Sequence, residues 1–249
     1  TWDGGGNLYA ADTFGRVIRK IVIATGEVST LAGTAMMPGT ADGIGAAARF
    51  TYPTGIAADG AGNVFVADNG MMLRKIVTAT GEVTTIGSTG YPPLDGTGPA
   101  ARFAGVEDVV SDRAGSVYVV DSHTIRKLVV ATNEVTTLAG GASSLMVVDG
   151  IGAAASFLAP QSITYDGAGN LFIAESSPGV ALVRKLSLQT RAVTTVVGKS
   201  AHGVQLGALP GSLNQPRAVA VSRPVQPGLQ THWPLFQQKS DCCCGCRVL

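Results

Sequence analysis

Residues 53–87 read PTGIAADGAGNVFVADNGMMLRKIVTATGEVTTIG. Four short segments in this stretch, PTGIAA, NVFVAD, LRKIV and EVTTI, are rich in Val, Ile, Thr and aromatic residues, the composition of β-strands. They are separated by Asp59-Gly-Ala-Gly-Asn63, by Asn69-Gly-Met-Met72 and by Ala79-Thr-Gly81, and in the first and last of these glycine supplies the positive φ of a tight hairpin. The stretch therefore predicts four consecutive antiparallel strands, here lettered a to d.

The same pattern recurs along the chain. Aligned on Phe50, Phe103, Phe157 and Leu213, the copies are spaced by 53, 54 and 56 residues. GNLYAAD (6–12), GNVFVAD (62–68), GSVYVVD (115–121) and GNLFIAE (169–175) supply strand b. VIRKIV (17–22), LRKIV (73–77), TIRKLV (124–129) and LVRKLS (182–187) supply strand c. GEVSTLAG (26–33), GEVTTIG (81–87), NEVTTLAG (133–140) and RAVTTVVG (191–198) supply strand d. Strand a is read at 54–59, 107–112, 161–166 and, as RAVAVS, at 217–222. A helical repeat would show a 3.6-residue period, which is missing, and a solenoid would use shorter units. The expected fold is all-β: a β-propeller of four-stranded antiparallel blades, with about four blades present.

The recurring residues carry a family resemblance. Pro53, Gly55, Ile56, Asp59, Gly62, Asn63, Val66, Asp68, Arg74, Lys75, Ile76, Val83 and Thr84 form a pattern that resembles the NHL repeat. It covers residues 1–222, in copies of about 1–50, 51–103, 104–157 and 158–214 and a partial one at 215–222. The connector D-G-x-G-x-A-A-x-F (Asp42–Phe50, Asp95–Phe103, Asp149–Phe157) is similar to that of longer NHL repeats of bacterial and plant proteins. The fourth copy departs from it, with Leu206-Gly207 and Leu213. The resemblance implies six blades, and six such copies need roughly 320 residues. The chain is accordingly expected to be part of such a ring, with Thr1 not its native start, although four a, b, c and d segments also allow closure by 217–221.

Composition bounds the function. The chain of 249 residues has 45% hydrophobic residues, enough to fill a core, and 33 glycines to turn many short strands. Net charge is +1; setting aside Arg223, Lys239, Arg247 and Asp241 takes the basic and acidic counts from 18 and 17 to 15 and 16, so the repeats average −1. A general nucleic-acid binder is more basic, which ranks RNA binding third among the functional readings. No apolar run approaches the roughly 18 residues that cross a bilayer. Residues 223–249 lack strand alternation and are expected to be an irregular, non-native or disordered tail. They hold all four cysteines (Cys242, Cys243, Cys244, Cys246), so the repeats need no disulfide, and lipidation of the terminal Cys246-Arg-Val-Leu is not expected because Arg fits the prenylation pattern poorly.

Candidate chemistry is sparse. Asp12, Asp68, Asp121 and Glu175 close strand b, and Arg19, Arg74, Arg126 and Arg184 stand on strand c. Carboxylates converging on an axis suit a hard cation, but one carboxylate and one arginine per copy predict structural pairs instead. The connector motif mimics a dinucleotide fingerprint, yet it occurs three times and leads into a strand, not a long helix. Its Asp is expected to cap a single helical turn and its Phe to plug the gap between blades. His123, His202 and His232 have no metal-ligand spacing and no nucleophile elbow is present, so no catalytic group, metal or cofactor is expected.

The turns point to one face. Connections a–b and c–d are short and nearly uniform, whereas b–c and d–a, on the opposite face, diverge and carry Met36, Met37, Met71, Met72, Tyr91, Leu145 and Met146. Methionine and aromatic side chains on loops favour partner contacts. The reading is a non-enzymatic interaction, scaffold or sensor domain for a protein, peptide or glycan. The alternative is a metal-dependent hydrolase or lyase using a central channel, as in six-bladed propeller enzymes that the resemblance brings in.

Overall fold

A computed structural model describes residues 1–141, 146–199, 213 and 216–221. The expected tail and Leu145 lie outside these residues. The fold is all-β, with antiparallel sheets following one another along the chain.

In the second sheet, strands a to d are Pro53–Ala58, Asn63–Asp68, Met72–Val77 and Glu82–Ile86, paired in that order. The third sheet repeats this with Val106–Ser111, Ser116–Asp121, Thr124–Val129 and Glu134–Ala139. The fourth does so with Pro160–Tyr165, Asn170–Ser177, Val180–Ser187 and Ala192–Lys199. The first sheet holds b, c and d at Asn7–Asp12, Val17–Val22 and Val28–Ala32. Beside its strand b, the place of strand a is held by Thr1–Asp3, through a Trp2–Leu8 bridge and the Tyr9 amide bonded to the Thr1 carbonyl at 2.8 Å. Of the strand a expected at 217–222, residues 217–221 lie in no strand and residue 222 is outside the described residues.

Three of the sheets hold one strand more than expected. Gly43–Ile44, Gly96–Thr97 and Gly150–Ile151, the Gly-x of each connector, pair with the outer edge of strand d of the following sheet. A 3-10 turn follows each time, at Gly45–Ala47, Gly98–Ala100 and Gly152–Ala154. No side chain caps these turns, which corrects the expectation for the connector Asp; its carboxylate is held elsewhere, as described below.

Pairing across the strands puts Val64, Val66, Arg74, Ile76 and Val83 on one face of the second sheet, called its near face. That face packs on the preceding sheet through Phe50, which is fully buried with Tyr9, Ile18 and Ala32 of the first sheet and Val64, Val66, Ile76 and Val83 of the second. Phe103 and Phe157 fill the two following junctions in the same way, as expected for plugs. Burying each ring contributes about 1.5–3 kcal/mol. Strand a of the third sheet packs against strand a of both the second and the fourth, so the strands a lie together.

Candidate binding face and its buried supports

Each plug ring lies under an arginine. The guanidinium carbons of Arg74, Arg126 and Arg184 stand 5.2, 5.6 and 5.3 Å from the ring centres of Phe50, Phe103 and Phe157. All three arginines are fully buried, and a buried guanidinium must be matched by acceptors. Arg126 Nη1 donates to Asp121 Oδ2 at 2.8 Å and Nη2 to Asp95 Oδ1 at 3.0 Å, with the Arg102 and Leu94 carbonyls accepting as well. Arg184 is held likewise by Glu175 at 2.7 Å and Asp149 at 2.8 Å, and Arg74 by Asp68 at 3.4 Å and Asp42 at 2.9 Å.

The connector Asp therefore joins two strands of the next sheet. Asp42, Asp95 and Asp149 each also accept the hydroxyl of a strand d threonine, Thr85, Thr137 and Thr195, at 2.8, 2.8 and 3.0 Å. Burial penalises the Asp149 carboxylate modestly, and the donors from Thr195 and Arg184 outweigh that, holding it below the usual carboxylate range. Asp149 is thus an ionised clamp, and Asp42 and Asp95 make the same two contacts.

The strand b carboxylates have a second task. Asp68 Oδ1 accepts the amides of Thr51 and Tyr52 at 2.9 and 2.7 Å, Asp121 Oδ1 those of Ala104 and Gly105 at 2.8 and 2.7 Å, and Glu175 Oε2 that of Leu158 at 2.8 Å. Their oxygens face inward to arginine and backbone donors, and Asp68, Asp121 and Glu175 are fully buried. Among the described residues, no three His, Cys, Asp or Glu side chains converge on a point where a metal ion would sit.

The segment fixed in this way leads to the surface. Tyr52 is exposed, and its ring stands edge-on to that of Phe14 at 6.1 Å, with the Arg16 guanidinium 6.0 Å from its centre. Phe14 belongs to the b–c turn of the first sheet and is 77% exposed, an uncommon position for so large an apolar group. The surface continues in both directions. The Met36 amide bonds to the Gly15 carbonyl at 3.0 Å, the Thr13 hydroxyl to the Pro53 carbonyl at 2.7 Å and the Asn69 amide to the Tyr52 carbonyl at 3.1 Å. Beyond Asn69 and Gly70, the Thr54 hydroxyl reaches the Glu107 carbonyl at 3.3 Å. The loops 13–16, 34–37, 51–54 and 69–72 and the start of the third strand a thus form one contiguous patch.

Of the candidates read from sequence, Met36, Met37 and Met71 are exposed on this patch and Met72 is half-buried at the start of strand c. Tyr91 and Met146 are exposed on the following two connectors. Phe14, Arg16 and Tyr52 were missed. The signal for Tyr52 was the position itself, where the other copies have Gly105 and Ala159.

No family model matches the chain, and no curated protein matches it in sequence. Solved structures do match. One is a protein of unknown function from Bacteroides thetaiotaomicron, with a TM-score of 0.56 and 21% identity over 88% of this chain and 62% of that one. Two are auxiliary nutrient binding proteins. That of B. thetaiotaomicron has a TM-score of 0.55 and 15% identity over 86% of this chain and 60% of its own. That of Bacteroides ovatus has 0.56 and 16% over 86% and 61%. The chain spans about three fifths of the length of these structures, and at such identities the likeness is one of fold.

Proposed function

We propose that the chain is a β-propeller built from NHL-type repeats and works as a non-enzymatic binding or sensor domain, taking a protein, peptide or glycan on the face that carries Phe14, Met36, Tyr52 and Met71. The observation that carries this reading is the exposed Phe14–Tyr52 pair at the centre of a contiguous loop surface. Exposed aromatic rings on anchored loops supply large contact area at small entropic cost. Support also comes from the neighbours of like fold that are described as nutrient binding proteins. For the propeller, the support is the sheet-on-sheet repetition, with a plug ring at each junction and the strands a packed together.

The test is a search for ligands on a glycan array and in a displayed peptide library, run in parallel on the wild-type chain and a Phe14→Ala/Tyr52→Ala variant. Ligands retained by the wild type and lost by the variant are the expected result. Ligands that bind both proteins equally well would place recognition elsewhere.

A further inference from the structure

One a–b turn departs from the repeat. Its second position is Gly4, Gly60 and Gly167 in the other three copies, all in the left-handed backbone region at φ +88°, +74° and +76°, and Arg113 of the third sheet holds the same conformation at φ +57°. A side chain is disfavoured in that region, so the departure calls for a task that the side chain performs. Arg113 runs across the glycines of the two neighbouring turns: a Cβ on Gly60 would lie 3.8 Å from its Cδ, and a Cβ on Gly4 3.3 Å from its Nη1. Its Nη2 donates to the Trp2 carbonyl at 2.6 Å, and its guanidinium carbon stands 5.2 Å from the centre of the Trp2 ring.

The arginine borders a cleft of about 530 Å³ at the a–b turns of the first and second sheets, lined also by Asp3, Gly4, Asp59, Gly60 and Thr78. That volume falls within the range of small-molecule sites. Opposite charges line this cleft without meeting. Among the described residues, Arg113 pairs with no carboxylate, and Asp3 and Asp59 pair with no cation. Asp59 Oδ1 accepts the Ala61 and Asn63 amides at 2.8 and 2.9 Å, but its Oδ2 accepts only the Asn63 side chain at 2.6 Å, which leaves that oxygen able to take a further donor. Burial penalises the Asp3 carboxylate modestly, and the donors from Asn7, Gly5 and Tyr9 outweigh that, keeping it ionised. We infer that this cleft is a binding site for a small zwitterion of the α-amino acid type, with its carboxylate on the Arg113 guanidinium and its ammonium group toward Asp59 and Asp3. Two carboxylates on the wall repel a simple anion and the guanidinium repels a simple amine, whereas a molecule that bears both charges satisfies both. The cleft lies at the opposite strand ends from the loops that carry Phe14 and Tyr52, so this site and the loop surface proposed above stand or fall separately.

The probes are L-glutamine, whose side chain adds no charge, L-glutaminamide, which lacks the carboxylate, and N-acetyl-L-glutamine, which lacks the ammonium group. Each is titrated into the full chain, with amide chemical shifts as readout. Expected with L-glutamine are saturable shifts at Gly4, at Gly60 to Asn63 and at Arg113. Binding should be at least about tenfold weaker for either derivative, each having lost one charge-assisted contact. Arg113→Gly installs the residue that the other copies carry at this position, so it keeps the turn, and it should weaken L-glutamine by a similar factor. No shift at these residues up to about 10 mM L-glutamine, equal binding of the three compounds, or unchanged binding in Arg113→Gly would overturn the inference. So would full binding of either derivative, which would make the cleft a site for a plain amine or a plain carboxylate.

Discussion

Asp121 Oδ2 lies 2.8 Å from Arg126 Nη1 with neither side chain reached by solvent, whereas Asp12 and Arg19, the same two positions of the first copy, are 3.2 Å apart and about one third exposed. One sequence motif thus produces two different interactions. Desolvation separates them: a buried charge stripped of its partner has nothing to solvate it, whereas an exposed one returns to water.

Asp121→Ala should therefore destabilise the chain by roughly 3–5 kcal/mol and Asp12→Ala by no more than about 1 kcal/mol. The first removes the buried one of the two carboxylates that hold Arg126 and also strands the Ala104 and Gly105 amides. Urea unfolding of both variants checks this, and equal losses would show that the buried pair is worth no more than the exposed one.

The repeat made the sheets legible, because strand alternation and turn glycines are local properties; strands a to d fall within a residue or two of their expected positions throughout copies two to four. The plug role of Phe50 was legible for a similar reason, since a lone aromatic at fixed spacing in a polar connector has to bury its ring. The fate of Asp42 was not. A carboxylate just before a helical turn looks like a cap, and only the fold brings it to Arg74 and Thr85, 32 and 43 residues away. The outer Gly-x strand was hidden for the same reason, as two residues carry no alternation. At the candidate face, divergence between copies marked the loops, but Phe14 and Tyr52 form a pair only across sheets.

Gly140 follows strand d of the third sheet with φ +91°, and a Cβ there would collide with the His123 carbonyl oxygen and lie 3.1 Å from the Phe157 ring. Next to it, a Cβ on Gly141 would meet nothing within 4 Å. Gly140→Ala should cost about 1–3 kcal/mol through the clash and the left-handed backbone, and Gly141→Ala less than about 0.5 kcal/mol. Comparing the two thermal midpoints separates local crowding from any general intolerance of this connector.

Among the described residues, no arginine pairs with Asp108. Its carboxylate joins two strands a, accepting the Val109 amide at 2.8 Å and the Ile163 amide at 3.0 Å, and burial pushes its pKa up despite those donors and the Ser162 hydroxyl. A raised folded-state pKa means that the folded chain holds the proton more tightly than the unfolded one. The resulting stability is complete below the ordinary Asp value of about 3.9 and is lost as pH rises through the folded-state value. The stability of the wild type relative to Asp108→Asn should accordingly be greatest at the acid end and fall as pH rises from about 4. A difference that instead grows with pH would show that the amide donors outweigh burial.

The binding face offers the sharpest separation of stability from function. Tyr52 projects its ring outward while its amide is held by Asp68 Oδ1 at 2.7 Å, so the ring is presented by a segment that the buried clamp keeps in place. Removing the ring leaves that anchor untouched: Tyr52→Ala should shift stability by less than about 0.5 kcal/mol, as surface changes do, and weaken a ligand of this face by about 1–2 kcal/mol. Replacing Met71, Met72 and Tyr91 together by Ser extends the test around the same face and should abolish binding with the fold retained. Asp68→Ala should act in both respects, because it frees the Thr51 and Tyr52 amides and leaves Arg74 without its strand b carboxylate. Calorimetric titration of a ligand recovered by the array or the peptide library, beside urea unfolding of the same variants, distinguishes the cases. Full affinity in Tyr52→Ala and in the triple variant would remove this face from consideration as the binding surface.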